Sequence, residues 1–171
     1  MTAVPGSQFV VRRARTPDVP GVARLVDSYA RQRILLAKEL VTLFEDVQEF
    51  QVAVAGETVV GCGALHVLWE DLAEVRTLAV EPSWRGRGVG HRLIEALVLQ
   101  AKELGVSRLF CLTFEVDFFG RHGFRPLDGL PVSAEVYAEL LRSMDEGVAE
   151  FLDLARVKPN TLGNTRMLRQ L

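Results

Sequence analysis

The chain has 171 residues, 49% of them hydrophobic, which is enough for one domain with a substantial core. Its 20 basic and 22 acidic residues give a formal net charge of −2, so charge provides no reason to expect nucleic acid or an anionic membrane as a partner. No apolar run is long enough to span a bilayer, and the N-terminus lacks a signal-peptide pattern. We therefore expect a single domain over residues 1–171, with a loose tail at about 1–8, in the cytoplasm.

The first half of the chain alternates between predicted strands and helices. Their bounds are a strand at 9–14, a helix from Thr16, a second helix at about 35–48, and strands at 50–55 and 58–69. Thr16 before Pro17 is typical of an N-cap followed by the first helical residue. Gly56 lies between the last two strands and predicts that they form a hairpin.

The second half continues the same alternation. Its elements are a strand at about 72–80, a helix at 89–104, a strand at 108–113, a compact helix and turn at 118–124, a helix capped by Ser133, and two strand-like pieces within 148–171. The element order predicts an α/β fold with a central mixed sheet flanked by helices. We expect the antiparallel strands to come early and a crossover helix to lie in the middle.

A glycine-rich loop, Arg85-Gly86-Arg87-Gly88-Val89-Gly90, joins the predicted 72–80 strand to the long helix. Glycines let backbone N–H groups approach a ligand, and the start of a helix adds unpaired N–H groups and partial positive charge. This combination predicts a phosphate site. The loop lacks the Gly-Lys-Ser/Thr ending of a P-loop and the glycine spacing of a dinucleotide-binding fold.

The two cysteines, Cys62 and Cys111, lie in apolar strand-like runs, so we expect buried, reduced thiols. The histidines His66, His91 and His122 lack metal-ligand spacing with acidic partners, and we predict that the protein has no metal site. For His66 and His122 a hydrogen-bonded structural role is the favoured interpretation.

The pattern Arg-x-x-Gly-x-Gly after a strand and Glu-Pro resembles the acetyl-CoA loop of the GCN5-related N-acetyltransferases (GNAT). The run Phe118-Phe119-Gly120-Arg121-His122-Gly123-Phe124 is similar to a second motif of that superfamily. The resemblance implies a single-domain acetyltransferase fold that uses acetyl-CoA as co-substrate.

The resemblance also implies which residues hold acetyl-CoA. They are Leu78, Ala79 and Val80 for the pantetheine arm, Arg85, Gly86, Arg87, Gly88, Val89, Gly90 and His91 for the diphosphate, and Phe119. Phe119 occupies the position of a tyrosine that often protonates the leaving thiolate in the superfamily. Since a phenyl ring has no proton to give, another acid or water must supply it. Core packing or wall contact with the pantetheine is the favoured role of Phe119.

Glu74 is the candidate general base, because acetyl transfer needs a neutral amine and a base to produce it. With a period of two, Glu74, Arg76, Leu78 and Val80 share one face of the strand unless a bulge intervenes. The alternative is a surface ion pair of Arg76 with Glu74 or Glu70. The matching glutamate is the proposed base of the N-acetylglutamate synthases, which the segment 73–80 resembles.

Over nearly its full length the chain resembles the short, stand-alone amino-acid acetyltransferases of actinobacterial type, which make N-acetylglutamate for arginine synthesis. The resemblance implies transfer of the acetyl group to the α-amine of L-glutamate, with L-glutamine or another amino acid left open. The two carboxylates of glutamate need cations and hydrogen-bond donors. Candidates are Lys38, Arg76, Lys158, Asn160, Asn164 and Arg166, with Lys38 and Arg76 the strongest.

Two other functions stay open at this point. One is acetyl transfer to a different amine, such as a peptide N-terminus, a polyamine or an antibiotic. The other is a non-catalytic CoA-binding regulator, which the phenylalanine at position 119 keeps open. The pathway resemblance implies arginine as a feedback inhibitor, and the C-terminal strands suggest a homodimer.

Overall fold

The computed structural model describes residues 8–171, apart from the side chains of Pro159 and Asn160. The strands of this part are β1 Val10–Arg13, β2 Phe50–Ala55, β3 Thr58–Trp69, β4 Leu72–Val80, β5 Arg108–Thr113, β6 Arg125–Pro126 and β7 Thr165–Gln170. The helices are α1 Val19–Arg31, α2 Leu40–Glu45, α3 Val89–Glu103, α4 Val116–Arg121, α5 Ala134–Leu140, α6 Glu146–Phe151 and α7 Lys158–Thr161. No helix in this described part is long and apolar enough to cross a bilayer.

The strands form one mixed sheet in the order β1-β2-β3-β4-β5-β7-β6. β1, β2 and β3 pair in antiparallel fashion, and Gly56 with φ 60° forms the predicted β2–β3 hairpin. β4 and β5 are parallel, because α3 carries the chain back between them, and β7 pairs antiparallel with β5 and β6. The predicted α/β architecture, with early antiparallel strands and a crossover helix, is confirmed.

The chain forms two compact units, to which β3, β4 and α3 each contribute residues. The first contains residues 8–65 and 75–100. In this unit, neighbouring residues of a strand pack into different apolar clusters, because successive side chains point to opposite faces of the sheet. On β2, Val52 packs in a cluster with α1 and α2, whereas Ala53 packs in one with α3.

The second unit contains residues 66–74 and 101–171. Its core joins β4 and β5 to α5 and α6. At its centre the rings of Phe110 and Phe151 meet edge to face, with centroids 4.9 Å apart. Arg108 donates to Asp71 at 2.9 Å and to the Pro131 carbonyl at 2.7 Å, which fastens the start of β5 to the β3–β4 turn and to the loop before α5.

Two predictions in the first third of the chain are wrong in detail. The helix expected at 35–48 is the shorter α2 followed by a 3₁₀ turn at Val47–Glu49, and Arg33, with φ 58°, lies just after the end of α1. The cap at the start of α1 is not Thr16. Instead the helical segment begins with a 3₁₀ turn at Thr16–Asp18, and the Asp18 carboxylate accepts the Arg15 N–H at 2.7 Å.

Of the two strand-like pieces expected within 148–171, one is confirmed as β7 and the other is wrong. The part of this segment before β7 is mainly helical. The Asp145 side chain accepts the Val148 N–H at 2.9 Å and starts α6, and Pro159 occupies an early position of α7, where a missing N–H costs nothing. The short strand β6 was not predicted. The predicted Ser133 cap of α5 is confirmed by its hydrogen bond from the Val136 N–H at 3.3 Å.

Candidate functional site

The glycine loop of the first unit lies between a 3₁₀ turn at Pro82–Trp84 and the first turn of α3. Gly86 and Gly88 have φ values of 75° and 80°, in the left-handed region that favours glycine. A Cβ at either position would meet nothing within 4 Å, so the backbone conformation, not crowding, requires glycine here. The loop is exposed and ends where the 15-residue helix α3 begins, which leaves the first N–H groups of that helix for an anion.

Aromatic rings anchor the positive charges around this loop. The Arg87 guanidinium lies 4.8 Å from the Trp84 ring centroid, and that of Arg92 lies 5.1 Å from Phe9. Phe9 and Trp84 themselves pack edge to face at 6.2 Å. Stacking on rings limits the motion of the two guanidinium groups and keeps positive charge beside the loop amides.

Tyr29 ties this loop to the preceding strand. Its hydroxyl donates to the Val80 carbonyl at 2.6 Å and accepts from Arg85 Nη2 at 2.7 Å. Sequence reasoning placed Tyr29 on the apolar face of the first helix and missed this role. The available signal was the residue type, because a buried phenol needs a hydrogen-bond partner that phenylalanine would not.

The end of β4, which was predicted to hold the pantetheine arm, alternates as a regular strand. Leu78 and Val80 are half-buried against the α3 cluster, and Ala79 enters the cluster of α1 and α2. Just before them, Thr77 has φ 57°, which interrupts the extended conformation. The period-two alternation expected from Glu74 through Val80 is therefore broken at Thr77, the exception that a bulge allows.

In the second unit, Glu74 lies on β4 opposite Phe110 of β5 and is only 6% exposed. It is a buried carboxylate, not one of an exposed surface pair. Cys111 is buried beside it, and both burial and the negative charge of Glu74 raise the pKa of the Cys111 thiol well above its usual value. Cys62, in the first unit, is buried too, and burial raises its pKa to about 12. Both thiols are free and buried, as predicted.

Arg166 gives the neighbourhood of Glu74 a counter-charge. Its guanidinium lies 4.9 Å from the Phe110 centroid and 5.8 Å from that of Phe151, and it donates to the Phe151 carbonyl at 2.7 Å. Burial lowers the pKa of Arg166, while Asp153 and Glu74 act in the opposite direction. A carboxylate, a guanidinium and two aromatic rings are thus brought together in the second unit.

The other predicted acceptor residues lie in different places. Lys38 and Arg76 are half-buried in the first unit. Lys158 is exposed in the second unit and forms an ion pair with Asp153 at 2.5 Å, and Asn164 is half-buried there. The side chain of Asn160 lies outside the described residues.

Phe119 is 5% exposed and packs edge to face against Phe118 and Phe124, each at 5.2 Å. This agrees with the favoured packing role, while its contact with the cofactor stays a prediction. His122 Nδ1 lies 2.8 Å from the Phe118 carbonyl, as expected of a structural histidine. His91, at the start of α3, faces Glu95 at 3.2 Å. Among the described residues, no group of three or more acidic, histidine or cysteine side chains is placed to hold a metal ion.

A comparison with known protein families identifies the family whose fold carries these residues. Residues 21–124 match the acetyltransferase (GNAT) family. The chain belongs to this family. The protein is therefore an acetyl-CoA-dependent acyltransferase.

Two curated relatives are similar over much of this GNAT chain. An amino-acid acetyltransferase from Mycobacterium tuberculosis (strain H37Rv) is 59% identical over 162 residues, which cover 93% of this chain and 92% of the relative. The amino-acid acetyltransferase of Escherichia coli K12 is 32% identical over 120 residues, or 69% of this chain, but this is only 27% of that longer relative.

Solved structures agree with this assignment. The crystal structure of Rv2747 from M. tuberculosis, in complex with CoA and NLQ, has a TM-score of 0.92 and 59% identity over 95% of this chain and 99% of that one. The N-acetylglutamate synthase of Neisseria gonorrhoeae, complexed with CoA and N-acetyl-glutamate, has a TM-score of 0.76 and 24% identity over 97% of this chain and 36% of that one. The second likeness supports the fold alone.

Proposed function

We propose that this protein transfers the acetyl group of acetyl-CoA to the α-amine of L-glutamate, with L-glutamine as a second acceptor to be tested. The observation that carries the proposal is the likeness to the M. tuberculosis amino-acid acetyltransferase, at 59% identity over more than nine-tenths of both chains. Each unit has half-buried cations that suit a carboxylate ligand, namely Lys38 and Arg76 in the first unit and Arg166 in the second.

In the proposed donor site, the amides between Gly86 and His91 bind the CoA diphosphate, and the backbone of Leu78 to Val80 holds the pantetheine arm. The left-handed glycines and the start of α3 support this assignment, because they direct N–H groups towards an anion. Arg85 and Arg87 add charge next to the diphosphate. Phe119 is proposed to form part of the apolar wall of the arm.

Glu74 is proposed to be the general base. It accepts a proton from the ammonium of the acceptor, and the neutral amine then attacks the thioester carbonyl. The attacking nitrogen of the tetrahedral intermediate loses its second proton to water, and the carbon–sulfur bond breaks, which releases N-acetyl amino acid and the CoA thiolate. The thiolate takes a proton from water or another acid, since Phe119 has none to give. Burial of Glu74 on β4, the same strand that carries Leu78 and Val80, supports this role.

The acceptor is tested by release of the CoA thiol, measured with glutamate, glutamine, aspartate, a polyamine and a peptide. We expect the highest kcat/KM with glutamate or glutamine. If only the polyamine or the peptide is acetylated, the acceptor assignment is wrong and the acetyltransferase class stands. If acetyl-CoA binds tightly but no amine is acetylated, the non-catalytic regulator is the better explanation.

The role of Glu74 is tested by Glu74→Gln, with Glu70→Gln as the matched control, because Glu70 is an exposed carboxylate in the β3–β4 turn. Loss of a general base lowers kcat by about 10²- to 10⁴-fold. The affinity for CoA, measured by calorimetry, should remain unchanged in both variants, and Glu70→Gln should keep its full kcat. An unaltered kcat in Glu74→Gln would contradict the assignment.

A single domain, a metal-free site, a homodimer, feedback inhibition by arginine, a cytoplasmic location and the absence of nucleic-acid or membrane partners stay predictions. Sedimentation and an inhibition series with arginine would test the homodimer and the feedback inhibition directly. β7 pairs with β5 and β6 on its two sides, so a dimer formed by edge-to-edge strand pairing at this end of the sheet would use β6.

A further inference from the structure

The Tyr29 hydroxyl joins three elements of the first unit. Its ring belongs to α1 and is 7% exposed. The hydroxyl donates to the carbonyl of Val80, the last residue of β4, at 2.6 Å, and accepts from Arg85, the first residue of the glycine loop, at 2.7 Å. The Arg85 guanidinium also lies over the Tyr29 ring, 5.6 Å from its centroid. One side chain thus contacts both ends of the connection between strand and loop.

The middle of this connection is fixed as well. The Glu81 N–H donates to the Val60 carbonyl at 2.8 Å, and the Glu81 carboxylate accepts from Arg24 of α1 at 2.7 Å. Arg24 also donates to the Val59 carbonyl at 2.8 Å. The connection is therefore held by α1 and β3, and Tyr29 is the group that reaches the loop itself.

We propose that Tyr29 is a positioning residue of the donor site, which holds the Val80 carbonyl and the Arg85 side chain so that the loop is ready for CoA before CoA arrives. This inference rests on the proposed function, in which the loop binds the CoA diphosphate. When a site adopts its binding-competent conformation for only a fraction of the time, its apparent affinity for the ligand is reduced by that fraction. Loss of the hydroxyl should therefore weaken CoA binding without changing any atom that CoA contacts.

The test is Tyr29→Phe, which removes the hydroxyl and keeps the buried ring. Titration calorimetry with CoA measures affinity without turnover. We expect a roughly tenfold weaker Kd, as for one lost hydrogen bond with a charged partner. The KM for acetyl-CoA should rise by a similar factor, while kcat at saturation stays within about twofold. Tyr137→Phe is the matched control, because Tyr137 is the other tyrosine of the chain and lies on α5 of the second unit. It should bind CoA like the wild type.

A second variant approaches the same contact from the exposed Arg85. When Tyr29→Phe is combined with Arg85→Met, loss of the hydroxyl should weaken CoA binding much less than Tyr29→Phe does in the wild type, because the two groups act together. NMR of protein labelled at its tyrosine rings gives an independent readout. The chain has two tyrosines, so the ring signals that remain in Tyr137→Phe belong to Tyr29. These signals should shift both in Arg85→Met and when CoA is added to the wild type.

The outcomes separate the inference from the function on which it rests. If wild-type protein does not bind CoA, both are wrong. If the wild type binds and Tyr29→Phe binds equally well, only the positioning role is wrong. If Tyr29→Phe lowers kcat with unchanged CoA affinity, Tyr29 acts in proton transfer instead. If Tyr29→Phe does not fold, unchanged Tyr29 signals on CoA addition to the wild type would overturn the inference.

Discussion

A substitution at Gly61 tests how closely α3 packs on the sheet near the glycine loop. A Cβ added at Gly61 would lie 2.8 Å from Val89 Cγ1, 3.0 Å from Leu93 Cδ1 and 3.4 Å from Ala53 Cβ. Carbon atoms in good contact are about 3.5–4.0 Å apart, so the first two distances are too short by roughly 0.5–1 Å. Val89 and Leu93 are 1% and 0% exposed, and a β-branched valine in a helix has one strongly preferred rotamer. The helix itself must move.

We therefore expect Gly61→Ala to lower the free energy of unfolding by about 1–3 kcal/mol, the usual cost of overpacking a core. Because Val89 is the first residue of α3, the displaced turn is the one proposed to supply N–H groups to the CoA diphosphate, and CoA affinity should fall as well. Urea unfolding followed by circular dichroism measures the first effect, and calorimetry with CoA the second.

Two further variants complete the design. A Cβ at Gly120 in α4 meets nothing within 4 Å, so Gly120→Ala should leave stability unchanged or raise it by up to about 1 kcal/mol. Combining Gly61→Ala with Val89→Ala removes the clashing methyl group, and the double variant should be more stable than the sum of the single effects. If Gly61→Ala unfolds at the same urea concentration as Gly120→Ala, the close packing described for α3 is wrong.

Three other predictions concern stability and thiol chemistry. The hydrogen-bonded ion pair with Arg12 lowers the pKa of Asp18 while burial opposes it, so the stabilisation is present at neutral pH and lost as the pH falls below about 4, through the lowered pKa. Asp18→Asn should therefore cost about 1–2 kcal/mol of unfolding free energy at pH 7 and less at pH 3, and equal costs at both would contradict the pairing. Cys62 and Cys111 should not react with a thiol reagent at pH 8 until the protein is unfolded, because burial raises the pKa of both; rapid labelling of the native protein would refute this. Ser133→Ala should destabilise the protein by about 1 kcal/mol through loss of the α5 cap, with Ser133→Asp close to the wild type.

Sequence patterns predicted the elements with strong periodicity and clear ends. The bounds of β4 and β5 agree with the prediction, and α3 ends one residue early, before Gly105 with φ 86°. The helices near the C-terminus were missed, because their apolar residues also fit strands. The acidic cap at Asp145 was the available signal for α6.

The candidate site also contains some residues that the sequence predicted and others that it did not. The glycine loop and Glu74 were identified from local motifs and from the family resemblance. The contacts of Tyr29 were not, because Val80 and Arg85 are 51 and 56 residues away along the chain. Nor does local preference predict the left-handed backbone at Thr77, since β-branched residues avoid it. Only the surrounding structure determines such contacts.

The left-handed backbone at Thr77 affects which substitutions β4 can tolerate. A β-branched residue in the left-handed region costs of the order of 1–3 kcal/mol, and within β4 this strain lies at Thr77. Its carbonyl accepts from the Cys62 thiol at 3.5 Å. The left-handed residue separates Glu74, the proposed base, from Leu78 and Val80, which are proposed to hold the donor. Substitutions around Glu74 therefore need not reorient the proposed donor-binding residues.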